Sequence, residues 1–302
     1  MQDSNSPIID RGNKSGAWRV ILNQLIYYYY GNSAGLRNNI GAHHHLNKLR
    51  KVYKRKYGLL NHLEGETKAD ELKQNGYVSL SNVIEENEIR KALQETKIIF
   101  ETPDRHVKKD KGVILHAVGS EKIKVFQNLF STKLQNILIN YYKCAFRINT
   151  VRVWRNLHLE NVNPDKDDVF SNTFHNDAQL ATSLRIFILL KDGVNRETGA
   201  LRFHDKQNSK KIYRSGYFSR YGQSEKTLSR LTNPRTLKYF EGNAGDCVIL
   251  NTQECLHAAS IPKKNSYRDI LQFEIYPDFG KLKSKEELFN IPEDKEIRLM
   301  LN

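Results

Sequence analysis

The 302-residue chain is long enough for one large domain with elaborations or for two small ones. Its 48 Lys and Arg against 34 acids leave a net charge of +14, which favours anionic partners but says nothing of fold. The three cysteines, Cys144, Cys247 and Cys255, form no C-x-x-C pair and would leave one over from any disulfide, which excludes zinc-finger chemistry and fits a reducing compartment. With no run of about 18 apolar residues to cross a bilayer and no cleavable leader, the expected location is cytoplasmic.

Residues 1–60 read as a basic, partly helical arm. Trp18, Ile21, Leu22, Leu25, Ile26 and Tyr29 follow the spacing of an amphipathic helix. A polar break, Gly31 to Gly41, comes next. His43, His44 and His45 are expected to lie in a solvated loop, with no metal partner close in sequence. Six Lys or Arg then fall between Lys48 and Lys56. A solvated face is the ordinary reading of such a run, and peripheral contact with anionic lipid is the sharper one.

Residues 61–302 read as the main domain. A helix is expected at Lys68–Asn75, a short strand at Tyr77–Leu80 and a second helix at about Glu85–Phe100, with acids in its first turn. Helical periodicity returns at about 121–142. From residue 147 the pattern changes to strands: Ile148–Leu159, Leu184–Leu190, Ala200–Phe203, Leu237–Phe240, Cys247–Leu250, Cys255–Ala259 and Ile270–Tyr276. Helices first and many short strands after predict an α+β fold with a mainly β, antiparallel jelly-roll core flanked by N-terminal helices.

His175-Asn176-Asp177 is a His-x-Asp pair. On an extended segment, residues two apart point the same way, so both side chains can reach one ion. His257 follows the Gly245-Asp246 turn and the apolar strand Cys247–Leu250. Two imidazoles and one carboxylate are the facial triad of non-haem iron(II) oxygenases, which leaves three coordination positions open. Arg268 lies eleven residues after His257, in an otherwise apolar strand with Ile270, Leu271, Phe273 and Ile275. An inward Arg there is costly unless it meets an anion, and its fork matches a carboxylate. A hairpin centred on Pro262-Lys263 would set His257 and Arg268 opposite one another on adjacent strands.

From about Glu71 to Tyr276, two-thirds of the chain, these motifs resemble the phytanoyl-CoA dioxygenase family. The similarity lies in the opening Leu72–Val78, in His175-Asn176-Asp177, in the strand, acidic turn and glycine of Ile186–Leu201, and in the closing Gly245-Asp246, His257 and Arg268. The resemblance implies a double-stranded β-helix of cupin-like type, with Fe(II) on His175, Asp177 and His257, 2-oxoglutarate on Arg268, and O₂ as oxidant. The carboxylate at position 177 speaks against a halogenase. Thr182 and Asn156 are further candidates for holding the co-substrate, and Ser183, Arg185 and His158 for hydrogen bonding in the pocket.

The expected activity is hydroxylation, or another oxidation, of an unactivated C–H bond in an anionic small molecule carrying a phosphate or CoA. The segment Arg202–Lys238, with ten Lys or Arg and two acids, reads either as a basic lid for such a substrate or as an ordinary insertion. Competing readings are a non-catalytic jelly-roll protein, a zinc hydrolase using the same triad, and a nucleic-acid- or anion-binding module. The last lacks any helix-turn-helix, zinc or aromatic-platform signature, so no nucleic-acid partner is expected.

Overall fold

The computed structural model describes residues 35–58, 64–102, 107–110, 114–117, 119–158, 160, 172–177, 181–214 and 225–290. The expected Trp18–Tyr29 helix lies outside these. Ten strands are described: β1 Tyr77–Leu80, β2 Val107–Asp110, β3 Ile114–Ala117, β4 Phe146–Leu157, β5 Leu184–Leu189, β6 Leu201–Phe203, β7 Lys238–Phe240, β8 Cys247–Leu250, β9 His257–Ala259 and β10 Tyr267–Pro277. They form two antiparallel sheets. One has seven strands in the order β1-β8-β5-β10-β4-β3-β2, the other three in the order β7-β6-β9. The α+β expectation with a jelly-roll core holds.

Strand alternation decides what each face of the large sheet does. Leu271, Phe273, Val151, Val153, Ile186, Ile188, Cys247 and Ile249 join the cluster built with the helices, including Leu72, Leu134 and Leu138. Their neighbours Ile270, Phe187, Leu189, Val248 and Leu250 pack instead with Leu201, Phe203 and Phe240 of the small sheet. Any residue that shares the second register therefore faces the space between the sheets. On β10 these are Arg268, Ile270, Gln272 and Glu274, paired across to Asn156, Trp154, Arg152 and Thr150 of β4. On β5 Arg185 is of this set, opposite Glu274 and Leu250.

The helices follow their apolar spacing. Glu66–Asn75 and Thr132–Tyr142 bury Ala69, Leu72, Leu134, Ile137 and Leu138. The first of these stops at Gly76, whose left-handed backbone (φ 78°) closes the helix and starts β1; a side chain there would meet Cys255 Sγ at 2.6 Å. Gly245, at φ 87°, turns the chain into β8 against Ile89, which stands where a Cβ would be.

Three expectations change. His43, His44 and His45 are not in a loop: they lie on the exposed side of the helix Gly35–Tyr57, which begins inside the supposed polar break. Ala42, Leu46, Leu49 and Tyr53 recur at helical spacing and are buried, and Arg50 donates from Nε to the Tyr142 carbonyl (2.7 Å), so this helix packs on the main core. The hairpin β2–β3 was not anticipated, because the charged run Lys108–Lys111 hides its alternation. Nor do β9 and β10 form a hairpin. β9 pairs with β6 in the small sheet and β10 with β4 and β5 in the large one. The link between them crosses from sheet to sheet, held at Ser260 by the Ala200 carbonyl and at Lys263 by the Glu197 carbonyl.

Candidate metal centre and its inner face

His257 begins β9 on the face of Phe203, its cross-strand partner, and so looks into the inter-sheet space. The His175 segment is sewn to it by a reciprocal backbone pair, His175 N–H to the His257 carbonyl (3.0 Å) and His257 N–H to the His175 carbonyl (3.1 Å). Two more bonds fix the motif. The Asp177 N–H donates to the Thr252 carbonyl (3.2 Å), and Asn176 Nδ2 to the Gln253 carbonyl (2.8 Å). Asn176 thus spends its side chain on the backbone between the motif halves, while His175 and Asp177 point together.

One group of possible ligands converges among the described residues: a ring nitrogen from each of His175 and His257 and a carboxylate oxygen from Asp177, all within 4.8 Å of one another. Nδ1 of His175 sits 2.9 Å from the Thr173 carbonyl, and Nδ1 of His257 3.2 Å from that of Cys255. A carbonyl only accepts, so each Nδ1 carries the proton and each Nε2 presents its lone pair. Those Nε2 atoms lie 3.9 and 3.8 Å from Asp177 Oδ1. Burial, reinforced by the facing His175, holds the His257 imidazole down at about 4, so it is neutral at physiological pH. Burial pushes the Asp177 carboxyl up, but Arg185 and then His257 outweigh it and leave the group at about 2. Two imidazole nitrogens and one carboxylate oxygen are the donor set a divalent transition metal takes.

Arg268 lies in the large sheet, on the inner face, and is 2% exposed. Its Nη2 donates to Asn156 Oδ1 (2.8 Å), and that oxygen also accepts from Trp154 Nε1 (3.0 Å). Neither Nε nor Nη1 of Arg268 has a hydrogen-bond partner among the described residues. Burial lowers even this guanidinium, to about 10. Gln272 Nε2, on the same face, is likewise buried without a partner.

The other expected residues are placed as follows. Asn156 is buried and acts on Arg268. Thr182 is buried, and its carbonyl accepts from Tyr142 Oη (2.9 Å), a link to the helix-side core. His158 turns its Nδ1 to the Pro262 carbonyl (2.7 Å). Arg185 reaches Asp177 itself, as described below. In the basic segment, Lys206–Arg214 is a helix anchored by fully buried Ile212 and Tyr213 and by Ser209, whose Oγ accepts from the Leu256 N–H (2.9 Å). Arg202 pairs with Glu225 and Lys206 with Glu254. Tyr217, Phe218 and Tyr221 of this segment lie outside the described residues.

No family model matches the chain, and no curated protein matches its sequence. Solved structures do match its fold. SnoN, a non-haem alpha-ketoglutarate-dependent epimerase from nogalamycin biosynthesis, superposes with a TM-score of 0.50 at 15% identity, over 70% of this chain and 82% of that one. EctD from S. alaskensis, with bound Fe, superposes with a TM-score of 0.52 at 11% identity, over 76% of this chain and 84% of that one. The fold is a double-stranded β-helix. At these identities the likeness speaks to architecture, and chemistry has to be argued from the residues. No described helix is long and apolar enough to cross a membrane.

Proposed function

We propose that the chain is an Fe(II)- and 2-oxoglutarate-dependent oxygenase that hydroxylates, or otherwise oxidises, a C–H bond of an anionic small molecule. The reading is carried by one pairing: a converged His175–Asp177–His257 donor set and, on the inner face of the large sheet, the Arg268 guanidinium with two buried donors unspent among the described residues. A buried cation with unmet N–H groups costs several kcal/mol, on the order of the penalty for an unpaired buried charge, unless an anion completes it. A dicarboxylate that bridges metal and arginine answers both halves. A zinc hydrolase would explain the triad but leave Arg268 without a purpose. The family resemblance through phytanoyl-CoA dioxygenases supports the same reading from the motif residues.

In this reading His175, Asp177 and His257 hold iron, which together with 2-oxoglutarate and O₂ supplies the oxidation of the C–H bond. The chain's own part is positional. The carbonyls of Thr173 and Cys255 fix both imidazole tautomers, Arg268 orients the distal carboxylate of the co-substrate, and Asn156 holds Arg268. Phe187, Leu189, Ile270 and Trp154 give the inner face its apolar walls and limit water there. The +14 charge favours a negatively charged substrate, a phosphate or CoA conjugate being the expectation.

Anaerobic addition of Fe(II) and 2-oxoglutarate should give a weak visible charge-transfer band. The band is expected to vanish in His257→Ala and to need far more 2-oxoglutarate in Arg268→Ala. A folded wild-type protein that binds Fe(II) and 2-oxoglutarate no better than His257→Ala would overturn the reading.

A further inference from the structure

Asp177 has two carboxylate oxygens, and the structure gives them different neighbours. Oδ1 faces the imidazoles, 3.9 Å from Nε2 of His175 and 3.8 Å from Nε2 of His257. Oδ2 faces Arg185, whose Nε lies 2.7 Å away, an ion pair by distance although the N–H is not aimed along it. Arg185 occupies an inward position of β5, directly across from Glu274 of β10. Its Nη2 stands 3.5 Å from Glu274 Oε1.

Glu274 is itself an unusual choice for this position: a carboxylate 3% exposed in a strand whose neighbours are Phe273 and Ile275. It accepts hydrogen bonds from β4, from Asn149 Nδ2 at 2.8 Å and Thr150 Oγ1 at 3.3 Å, and Tyr276 Oη stands 3.5 Å from Oε1. The chain has therefore spent three polar partners, buried Thr150 and half-buried Asn149 and Tyr276, on a carboxylate whose charged neighbour is Arg185. Burial of such a group is costly unless the network has a use.

We propose that Arg185, backed by Glu274, is a positioning residue that occupies Asp177 Oδ2 and so commits the carboxylate to bind the metal through Oδ1 alone. The inference rests on the metal reading above. A carboxylate that swings to chelate through both oxygens takes two positions of a six-coordinate ion; held to one, the triad leaves three open for ligands. Glu274 balances the guanidinium charge, so that a cation can stand next to a metal dication without repelling it. Arg185 is spent on two carboxylates, and this separates it from Arg268, whose Nε and Nη1 have no partner among the described residues.

The test counts waters on the metal and needs no turnover. Mn(II) is added to the metal-free protein, and the number of fast-exchanging waters is read from water-proton relaxation, with thermal melting of each metal-free variant alongside. Wild type should carry about three exchangeable waters and Arg185→Gln about two, with Arg185→Lys restoring most of the count. Glu274→Gln should fall between them. Should Arg185→Ala fail to fold, the Gln and Lys variants decide. A folded Arg185→Gln with the wild-type count and Mn(II) affinity would overturn the proposal. Wild-type protein that binds Mn(II) no better than His257→Ala would instead strike at the metal reading itself, so the two failures are told apart.

Discussion

Two buried arginines stand on paired strands of one sheet and are treated in opposite ways. Arg155 of β4 lies on the helix-facing side, where Nε and Nη2 meet Asp269 at 2.6 and 2.7 Å and the guanidinium stacks on Tyr267, 4.0 Å from its ring centre. Arg268 of β10 lies on the other side and, among the described residues, holds only Asn156 and keeps two donors unmet. They sit one residue out of step in register, Arg268 opposite Asn156 and Asp269 opposite Arg155, so pleat alone sends them to different faces. Where the sheet meets helices, charge is closed off within the chain. Where it meets the small sheet, Arg185 is closed off in the same way but Arg268 is left open. The difference separates a cation kept for cohesion from one kept for a ligand.

The contrast can be broken at either arginine. The largest expected effect is at the closed pair: Asp269→Ala leaves Arg155 buried without its carboxylate and should cost about 3–5 kcal/mol in urea unfolding. Co-substrate and metal affinity should stay near wild type in whatever folded fraction remains. A loss of affinity without a loss of stability would reverse the roles assigned to the two faces.

Arg268→Met is the converse. It removes a half-satisfied buried charge, so the melting temperature should hold or rise, while 2-oxoglutarate affinity falls about a hundredfold, near 3 kcal/mol. Isothermal titration against 2-oxoglutarate checks one half and melting the other. Severe destabilisation with unchanged affinity would make Arg268 a structural residue like Arg155.

His204 sharpens the comparison from a third direction, because it meets burial by giving up its charge. Its Nδ1 has no partner among the described residues, its ring packs on Phe174 at 5.4 Å, and burial lowers it to about 4. The folded value lies below the unfolded one of about 6.5, so the unfolded chain takes up the proton first as pH falls. Its stability contribution is fully present above about pH 6.5 and drains away towards pH 4, by about 2 kcal/mol at pH 5. His204→Phe should be less acid-sensitive than wild type over this window by that amount. Parallel unfolding curves at pH 8 and pH 5 would detect it, and identical pH dependence would mean that another group carries the loss.

The sequence was informative where chemistry and periodicity coincide. Alternation located β1 and β8 to the residue and β4, β5, β6 and β7 within two residues or so, because all of them except β7 bury at least one face completely. His175, Asp177 and His257 were legible as a set because their spacing matched a known donor pattern, and the structure brings them within 4.8 Å. What stayed hidden was pairing. The hairpin drawn between His257 and Arg268 was wrong because ten intervening residues suffice either to turn back or to cross over, and only the partners of β9 and β10 decide which. The helix through His43–His45 was obscured by glycines and a histidine run, although Ala42, Leu46, Leu49 and Tyr53 already stood in helical register. Arg185 was named only as a pocket donor. The argument applied to Arg268, a cation inside an apolar strand, applied equally to Leu184-Arg185-Ile186 and would have found its tie to Asp177.

The reciprocal backbone pair between His175 and His257 has a thermodynamic consequence. The two residues are 82 apart in the chain, and drawing the ends of a loop of that length together carries an entropic cost of about 4 kcal/mol. The chain's own amide and carbonyl bonds join the two segments, so that cost is shared by the backbone and does not fall on metal ligands alone. The protein should therefore reach its melting temperature largely without metal, and added metal should raise it by no more than its mass-action term.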